Sequence, residues 1–450
     1  MSPQARRPRD LGLLLAARVC SAFGDLVVPV AAAFAVLDVM GGSAADIGVV
    51  LAATFAGMLV FLVLSGALAD RFPPARVMVA SDVLSLTVQT AAAALLATGA
   101  MTVPLFAALM FVKGAATAFF GPAAQSVVVR IVGPDEVQRA NARLGVASAV
   151  VAVAAPLAGG ALVAGVGPAW VLAGDAVTFA VSACLILRIC PRRARTAAQQ
   201  PGPAARDEHA GSAGSAAPSL CRELRTGWRE LTARRWLWTS ILAACALELL
   251  GSGPLITVLP VVADDRYGGA WGYAWLMSAL GLGSVAGGWV AGRLKVGRAV
   301  LAANLMAVPM AVAPLCLALG SPFAVVVGAH LLVGVCQAVF VVLWRTALAQ
   351  AVPAHVLGRI SAWDMVGSFS LRPAGHALGG AAAFALGTGP VLWLGAAAFA
   401  LIPLPLLAVG EVREPTSRLA RTGPAPDPAA ALPSAPDHTS PGKDHARTTG

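Results

Sequence analysis

Apolar stretches of about twenty residues, separated by short polar connectors, recur along the whole chain. A helix rising 1.5 Å per residue needs about that length to cross roughly 30 Å of hydrocarbon. Twelve such runs stand out: 11–37, 47–68, 77–98, 103–129, 144–166, 169–187, 237–262, 271–290, 299–319, 323–342, 362–386 and 391–409. They are built from Ala, Val, Leu and Gly, with small residues throughout, which suits close helix packing in lipid. They lack the alternation of barrel strands. The expected fold class is therefore an all-α membrane protein of twelve transmembrane helices.

Lys and Arg are not spread evenly over the connectors. One set carries Arg6, Arg7 and Arg9, then Arg71 and Arg76, then Arg130, Arg139 and Arg143, then an Arg-rich central segment, then Arg293, Lys295 and Arg298, and finally Arg345 and Arg359. The other set holds Arg266 alone against Asp38, Asp46, Asp264 and Asp265. Positive charge marks the cytoplasmic side, so both termini are expected there and the protein in the cell membrane. The expected divisions are an N-terminal tail (1–10), a first six-helix bundle (11–190), a cytoplasmic linker (191–235), a second bundle (236–410) and a disordered tail (411–450). Leu224, Trp228 and Leu231 lie at i, i+4 and i+7 among arginines, which predicts an amphipathic helix on the inner leaflet.

Composition agrees with the pattern: the chain is 58% hydrophobic and 12% charged. The net charge of +10 does not point to nucleic acid, because the basic residues sit where topology and anionic headgroups account for them. The seven cysteines show no CxxC or metal spacing and read as small buried hydrophobes. No GxxxxGK[ST] loop supplies a nucleotide site and no HExxH or comparable cluster supplies an enzyme. Neither cofactor, metal nor catalytic residue is expected. The first run is too long for a cleaved signal peptide.

The two halves repeat at an offset of about 220 residues. Gly66-x3-Asp70-Arg71 returns as Gly288-x3-Gly292-Arg293; Pro134 and Pro353 each follow the fourth span of their half; Gly159-Gly160 and Gly379-Gly380 each sit in the fifth. Six plus six with a central hinge is a transporter plan. At this point "GALADRFPPAR" resembles the loop between the second and third helices of the major facilitator superfamily. Gly66, Asp70, Arg71 and Arg76 fit that signature, and Pro73 stands where glycine is usual. "SAFGD", "FFGPAAQSVV", "VGPDEVQRANA" and "GDAVTF" resemble the branch of macrolide-efflux and enterobactin-exporter type proteins. "PLAGG" resembles the end of an exporter motif whose upstream glycines are absent here.

An ionised side chain at mid-helix costs on the order of 2.5–3.5 kcal/mol, so each requires a reason. Arg18, Ser21 and Asp25 share one face of the first span, and Glu248 lies 223 residues beyond Asp25, at nearly the same place in the second half. Lys113 is matched by Gln337 at an offset of 224. The resemblance implies that spans 1, 4, 7 and 10 line a central cavity, which would ring the midplane with Asp25, Lys113, Glu248 and Gln337. An ion pair of Asp25 with Lys113 would equally hold two helices together. Arg372 at mid-span could bind an anionic group or pair with an acid; Asp175, His330 and His376 are further titratable groups with readier structural roles. Asp70 and Arg71 are expected in a cytoplasmic gate. The resulting expectation is a monomeric, proton-coupled exporter of an amphipathic small molecule. An uptake symporter, a siderophore exporter or a non-transporting receptor on the same fold are the alternatives.

Overall fold

The structure, a computed structural model, describes residues 3–69, 72–132, 136–189 and 227–419. Regular secondary structure among them is entirely helical: twelve rods and four short pieces, 227–232, Leu404–Ala408, Gly410–Arg413 and Thr416–Leu419. The first six rods are α1 (Pro3–Phe34), α2 (Ala44–Ala69), α3 (Pro74–Ala97), α4 (Val103–Val132), α5 (Val137–Val166) and α6 (Pro168–Ile189). The second six are α7 (Arg235–Leu247, Glu248–Ser252 and Gly253–Arg266), α8 (Gly269–Ala291), α9 (Ala299–Leu305, Ala307–Met310 and Val312–Ala318), α10 (Phe323–Ala351), α11 (Ala354–Phe369 and Arg372–Leu386) and α12 (Thr388–Leu401).

Eleven rods are long and apolar enough to cross a membrane. The twelfth, α11, is divided at Ser370–Leu371. Pro373 lacks an N–H and its ring meets the carbonyl four residues back, which is that of Phe369, the last residue of the first segment. In α7 the same restriction at Pro254 follows a π-helical turn over Glu248–Ser252, and Pro309 and Pro314 divide α9. Rods α1, α5 and α11 begin well before the apolar runs that announced them, because a helix continues through the interface after the hydrocarbon ends. The expectation of buried cysteines fails at Cys184, which is exposed; an apolar side chain on a membrane helix can face lipid. Of the expected amphipathic helix, residues 227–232 are helical, with Leu231 buried and the Trp228 ring 5.1 Å from that of Trp363. Leu224 lies outside the described residues, as do most of the 191–235 segment and the tail from 420 onward.

The rods return through tight turns at the end of the bundle that carries the acidic connectors. Gly41, Gly99, Gly167, Gly268, Gly320 and Gly387 each close one of these six hairpins with positive φ. Only glycine takes that conformation without a steric penalty, so each turn is made in a few residues. Within the halves, small residues let backbones touch: a methyl group on Gly57 would overlap the Phe111 carbonyl, joining α2 to α4, and one on Gly283 that of Leu331, joining α8 to α10.

The halves meet along α2 with α11 and α5 with α8. Gly48 and Gly380 abut near the acidic end, Gly160 packs on Ala270 and Ala274, and Phe34 lies edge-on to Tyr273 at 6.2 Å. Deeper in, Ser278 donates to the Val153 carbonyl at 2.9 Å. Two helical turns onward, the same face of α5 loses its cover: Val146 is 68% exposed. Val285, which continues the matching face of α8, is also exposed. The two rods thus close at the acidic end and part toward the basic end.

Candidate functional site

In the N-terminal half the Lys113 ammonium lies 2.5 Å from Asp25 Oδ1, joining α4 to α1. Lys113 is buried and also donates to Thr117 Oγ1 at 3.1 Å, while the Phe179 ring stands 4.7 Å away. A carboxylate, a hydroxyl and an aromatic face together satisfy a cation that could not otherwise remain at this depth. The Asp25 side chain retains 34% exposure, so this pair can still be reached.

Behind it lies a second polar layer. Asp175 is fully buried on α6, accepting from Gln89 Nε2 of α3 at 2.5 Å and from Thr178 Oγ1 at 3.1 Å. Its carboxylate rests on Gly24, where any side chain would overlap it; glycine beside Asp25 is what allows α6 to approach. Asp82 on α3, buried as well, accepts from Ser182 Oγ at 2.7 Å, and its other oxygen is without a partner among the described residues. Asp82 and Gln89 were not singled out from sequence. The available signal was spacing: Ser81, Ser85 and Gln89 recur every four residues, with Asp82 beside them, on a face that proves wholly buried.

In the C-terminal half, Glu248 pairs with Arg372 of α11. Arg372 Nε donates to Oε2 at 2.7 Å and Nη2 to Oε1 at 3.2 Å. This fork-on-carboxylate geometry is the strongest form of such a pair. The π-helical turn beginning at Glu248 and the close approach of Gly253 and Gly375 to the Glu248 carbonyl bring α7 and α11 together here. Phe55 of α2 reaches across from the other half. Its ring lies 4.9 Å from the Arg372 guanidinium and stacks on His376 at 5.0 Å with 13° between planes. Thr257 Oγ1 is 2.9 Å from His376 Nδ1, and Nε2 is buried without a partner among the described residues. Phe55 carried no sequence signal beyond being one more apolar residue.

The remaining candidates are dispersed. Arg18 is half-buried, with no ion-pair partner among the described residues, and Gln337 is exposed on α10. Lys113 and its counterpart by offset therefore differ in environment: Glu248 pairs with α11, not α10. His330 is buried with Nδ1 2.9 Å from the Val326 carbonyl of its own helix. Arg76 is exposed in the first turn of α3 and Gly66 lies near the end of α2. Asp70 and Arg71 lie outside the described residues. No group of three or more potential metal ligands is present among the described residues.

The family model for the Major Facilitator Superfamily matches residues 14–375. The chain belongs to the major facilitator superfamily. It is accordingly a multi-pass membrane transporter and not an enzyme. Solved structures share the fold across nearly the whole chain. A bacterial homologue of the iron transporter ferroportin in an inward-facing state is 15% identical, covering 92% of this chain and 100% of that one at a TM-score of 0.68. A bacterial homologue of the human lysosomal transporter Spinster, inward-facing and unoccupied, is 15% identical over 94% and 98% at 0.61. A D-xylose–proton symporter is 13% identical over 90% and 98% at 0.65. At such identities the likeness speaks to fold alone. No curated protein matches the chain.

Proposed function

We propose that this superfamily member is a secondary active transporter that exports an amphipathic small molecule, such as a drug, antibiotic or secondary metabolite, in exchange for protons by alternating access. The observation that carries this reading is the pair of ionic contacts at membrane depth, Asp25 with Lys113 in one half and Glu248 with Arg372 in the other. A proton arriving on either carboxylate removes its charge and releases the partner cation, so protonation changes what holds the helices. Export rather than uptake is favoured by the likeness of "SAFGD", "GDAVTF" and "VGPDEVQRANA" to the macrolide-efflux and enterobactin-exporter type branch.

In this reading the units that rock are 11–190 and 236–410, the basic end is cytoplasmic, and the parting of α5 from α8 is the inward-facing state. Arg18 and Gln337 face the substrate path, and Gly66, Asp70, Arg71 and Arg76 form the cytoplasmic gate. Each inward proton contributes roughly 2.3 kcal/mol per 100 mV of membrane potential, beyond any pH gradient. The deciding experiment reconstitutes the protein and the Asp25→Asn and Glu248→Gln variants in proteoliposomes with an imposed pH gradient. The wild type is expected to drive uphill movement of an amphipathic dye or drug and Asp25→Asn to lose it. Gradient-driven accumulation at the wild-type rate in both variants would remove both acids from the coupling role.

A further inference from the structure

Two helices of the second bundle start without a cap of their own. Arg234 and Arg298 stand immediately before α7 and α9, where a short oxygen-bearing side chain usually accepts the first free N–H groups, and neither first turn contains an acid. The chain beyond α12 supplies both caps. Glu411 Oε2 accepts from Trp236 N and Thr416 Oγ1 from Ala299 N, each at 3.0 Å, and Thr416 N donates to the Gly297 carbonyl at 3.0 Å. Val412 and Leu419 are buried in one apolar cluster with Trp236 and Leu237 of α7, Val300 of α9 and Leu348 of α10. Residues 404–419 thus form a strap across the basic ends of these three helices.

What the strap holds is not stiff. α7 breaks at the π-helical turn Glu248–Ser252 and α11 at Ser370–Leu371. Both breaks lie at the Glu248–Arg372 ion pair, so the basic-end segments Arg235–Leu247 and Ala354–Phe369 share one hinge level. Those segments are joined to each other: Cys245 Sγ donates to the Gly367 carbonyl, and Ile241 fills the space beside Gly367. α10, by contrast, is undivided over Phe323–Ala351. α2 packs on the acidic-end segment of α11, and past it Met365 and Phe369 are exposed. The hinged pair therefore has room on the side of the first bundle. We propose that the strap is a latch: docked, it holds the paired segments of α7 and α11 back against α9 and α10; released, it lets them swing about Glu248 and Ser370 toward the first bundle. Glu411 and Thr416 are its positioning residues. The latch is independent of substrate, transport direction and coupling ion.

The test reads two spin-label distances in the purified full chain, with native cysteines replaced and Cys245→Ser chosen to keep a donor to Gly367. Val60→Cys with Met365→Cys spans α2 and the hinged segment of α11. Val146→Cys with Val285→Cys spans two undivided helices, α5 and α8. Glu411→Ala with Thr416→Val removes both caps and is expected to raise the population of a shorter 60–365 distance about tenfold, leaving the 146–285 distribution unchanged. Glu411→Gln with Thr416→Ser keeps both acceptors and should restore the wild-type distribution. Glu411→Ala alone, with a smaller shift of the same sign, decides the matter if the double variant folds poorly. An unchanged 60–365 distribution would overturn the latch, even with a lowered melting temperature, since the strap would then support the fold alone. So would an equal shortening of the 146–285 distance, or the same shift in the Gln/Ser variant.

Discussion

Arg372 of α11 grips Glu248 of α7 through two hydrogen bonds, 2.7 and 3.2 Å long, while the corresponding acid of the first half, Asp25, is held by Lys113 of α4. The two acids, 223 residues apart along the repeat, thus have non-equivalent partners. Removing one partner from a buried pair leaves an uncompensated charge and costs about 3–5 kcal/mol. Because both side chains of this pair keep some exposure, 20% and 13%, the lower end of that range applies. Glu248→Leu is expected to lower the melting temperature in detergent, and the Glu248→Leu/Arg372→Leu double variant to recover most of the loss. An additive loss in the double-mutant cycle would show that the two side chains do not interact.

Among the described residues, Lys113 is the one buried Lys or Arg of the first half, with Asp25 beside it and Asp82 and Asp175 both fully buried nearby. Lys113→Met leaves Asp25 without its counter-charge. The expected result is substrate binding without gradient-driven transport, read as retained dye binding by fluorescence with accumulation reduced at least tenfold. Asp25→Asn in the same background should add no further loss, since both changes disable one unit.

Phe55 is the point where the first half touches the ion pair of the second, stacking on His376 and lying under Arg372. An aromatic pair contributes about 0.5–1.5 kcal/mol beyond its buried area and a cation over a ring about as much again. Phe55→Ala is therefore expected to shift the population away from the state seen here by roughly tenfold or more. Solvent access to a cysteine placed at Ala44, buried on α2 beside Gly380 and measured by its alkylation rate, should rise; an unchanged rate would show that this contact does not hold the halves.

Gly160 lies directly against Ala274, whereas Val146 and Val285 are exposed about three helical turns or more away. In a background without native cysteines, Phe34→Cys with Tyr273→Cys, whose rings lie 6.2 Å apart across the same closed end, is expected to cross-link through a short bifunctional thiol reagent and stop transport. Val146→Cys with Val285→Cys should cross-link only when substrate or gradient drives the opposite state. Ready cross-linking of the second pair and none of the first would reverse the assignment of the closed end.

The basic end is predicted to face the cytoplasm. Membrane-impermeant thiol labelling from outside should reach cysteines at positions 265 and 268 and miss position 76. Asp70→Asn is expected to reduce transport strongly with membrane abundance near normal; unaffected transport would leave the charges of this loop as topology signals only.

Some of this was legible residue by residue and some was not. The twelve rods, the six-plus-six repeat and the two unlike ends followed from the sequence alone, because crossing hydrocarbon imposes a length and an apolarity that each segment must meet by itself. The acids at Asp25 and Glu248 were equally legible, since a charge at mid-span is costly wherever the helix sits. Breaks at Pro254 and Pro373 are local too, although hydropathy could not tell that α11 begins eight residues before its apolar run. Partnership is different. Whether Glu248 meets α10 or α11, whether Asp82 and Asp175 stand in a buried layer behind Lys113, and that Phe55 bridges the halves all depend on how each helix is rotated and how closely its neighbour approaches. Those distances were set by glycines such as Gly24 and Gly253 touching backbone or carboxylate across helices. Only the packed tertiary structure decides them, because a hydrogen bond across an interface is fixed by relative placement to within a few tenths of an ångström, and no repeat offset along the chain carries that information.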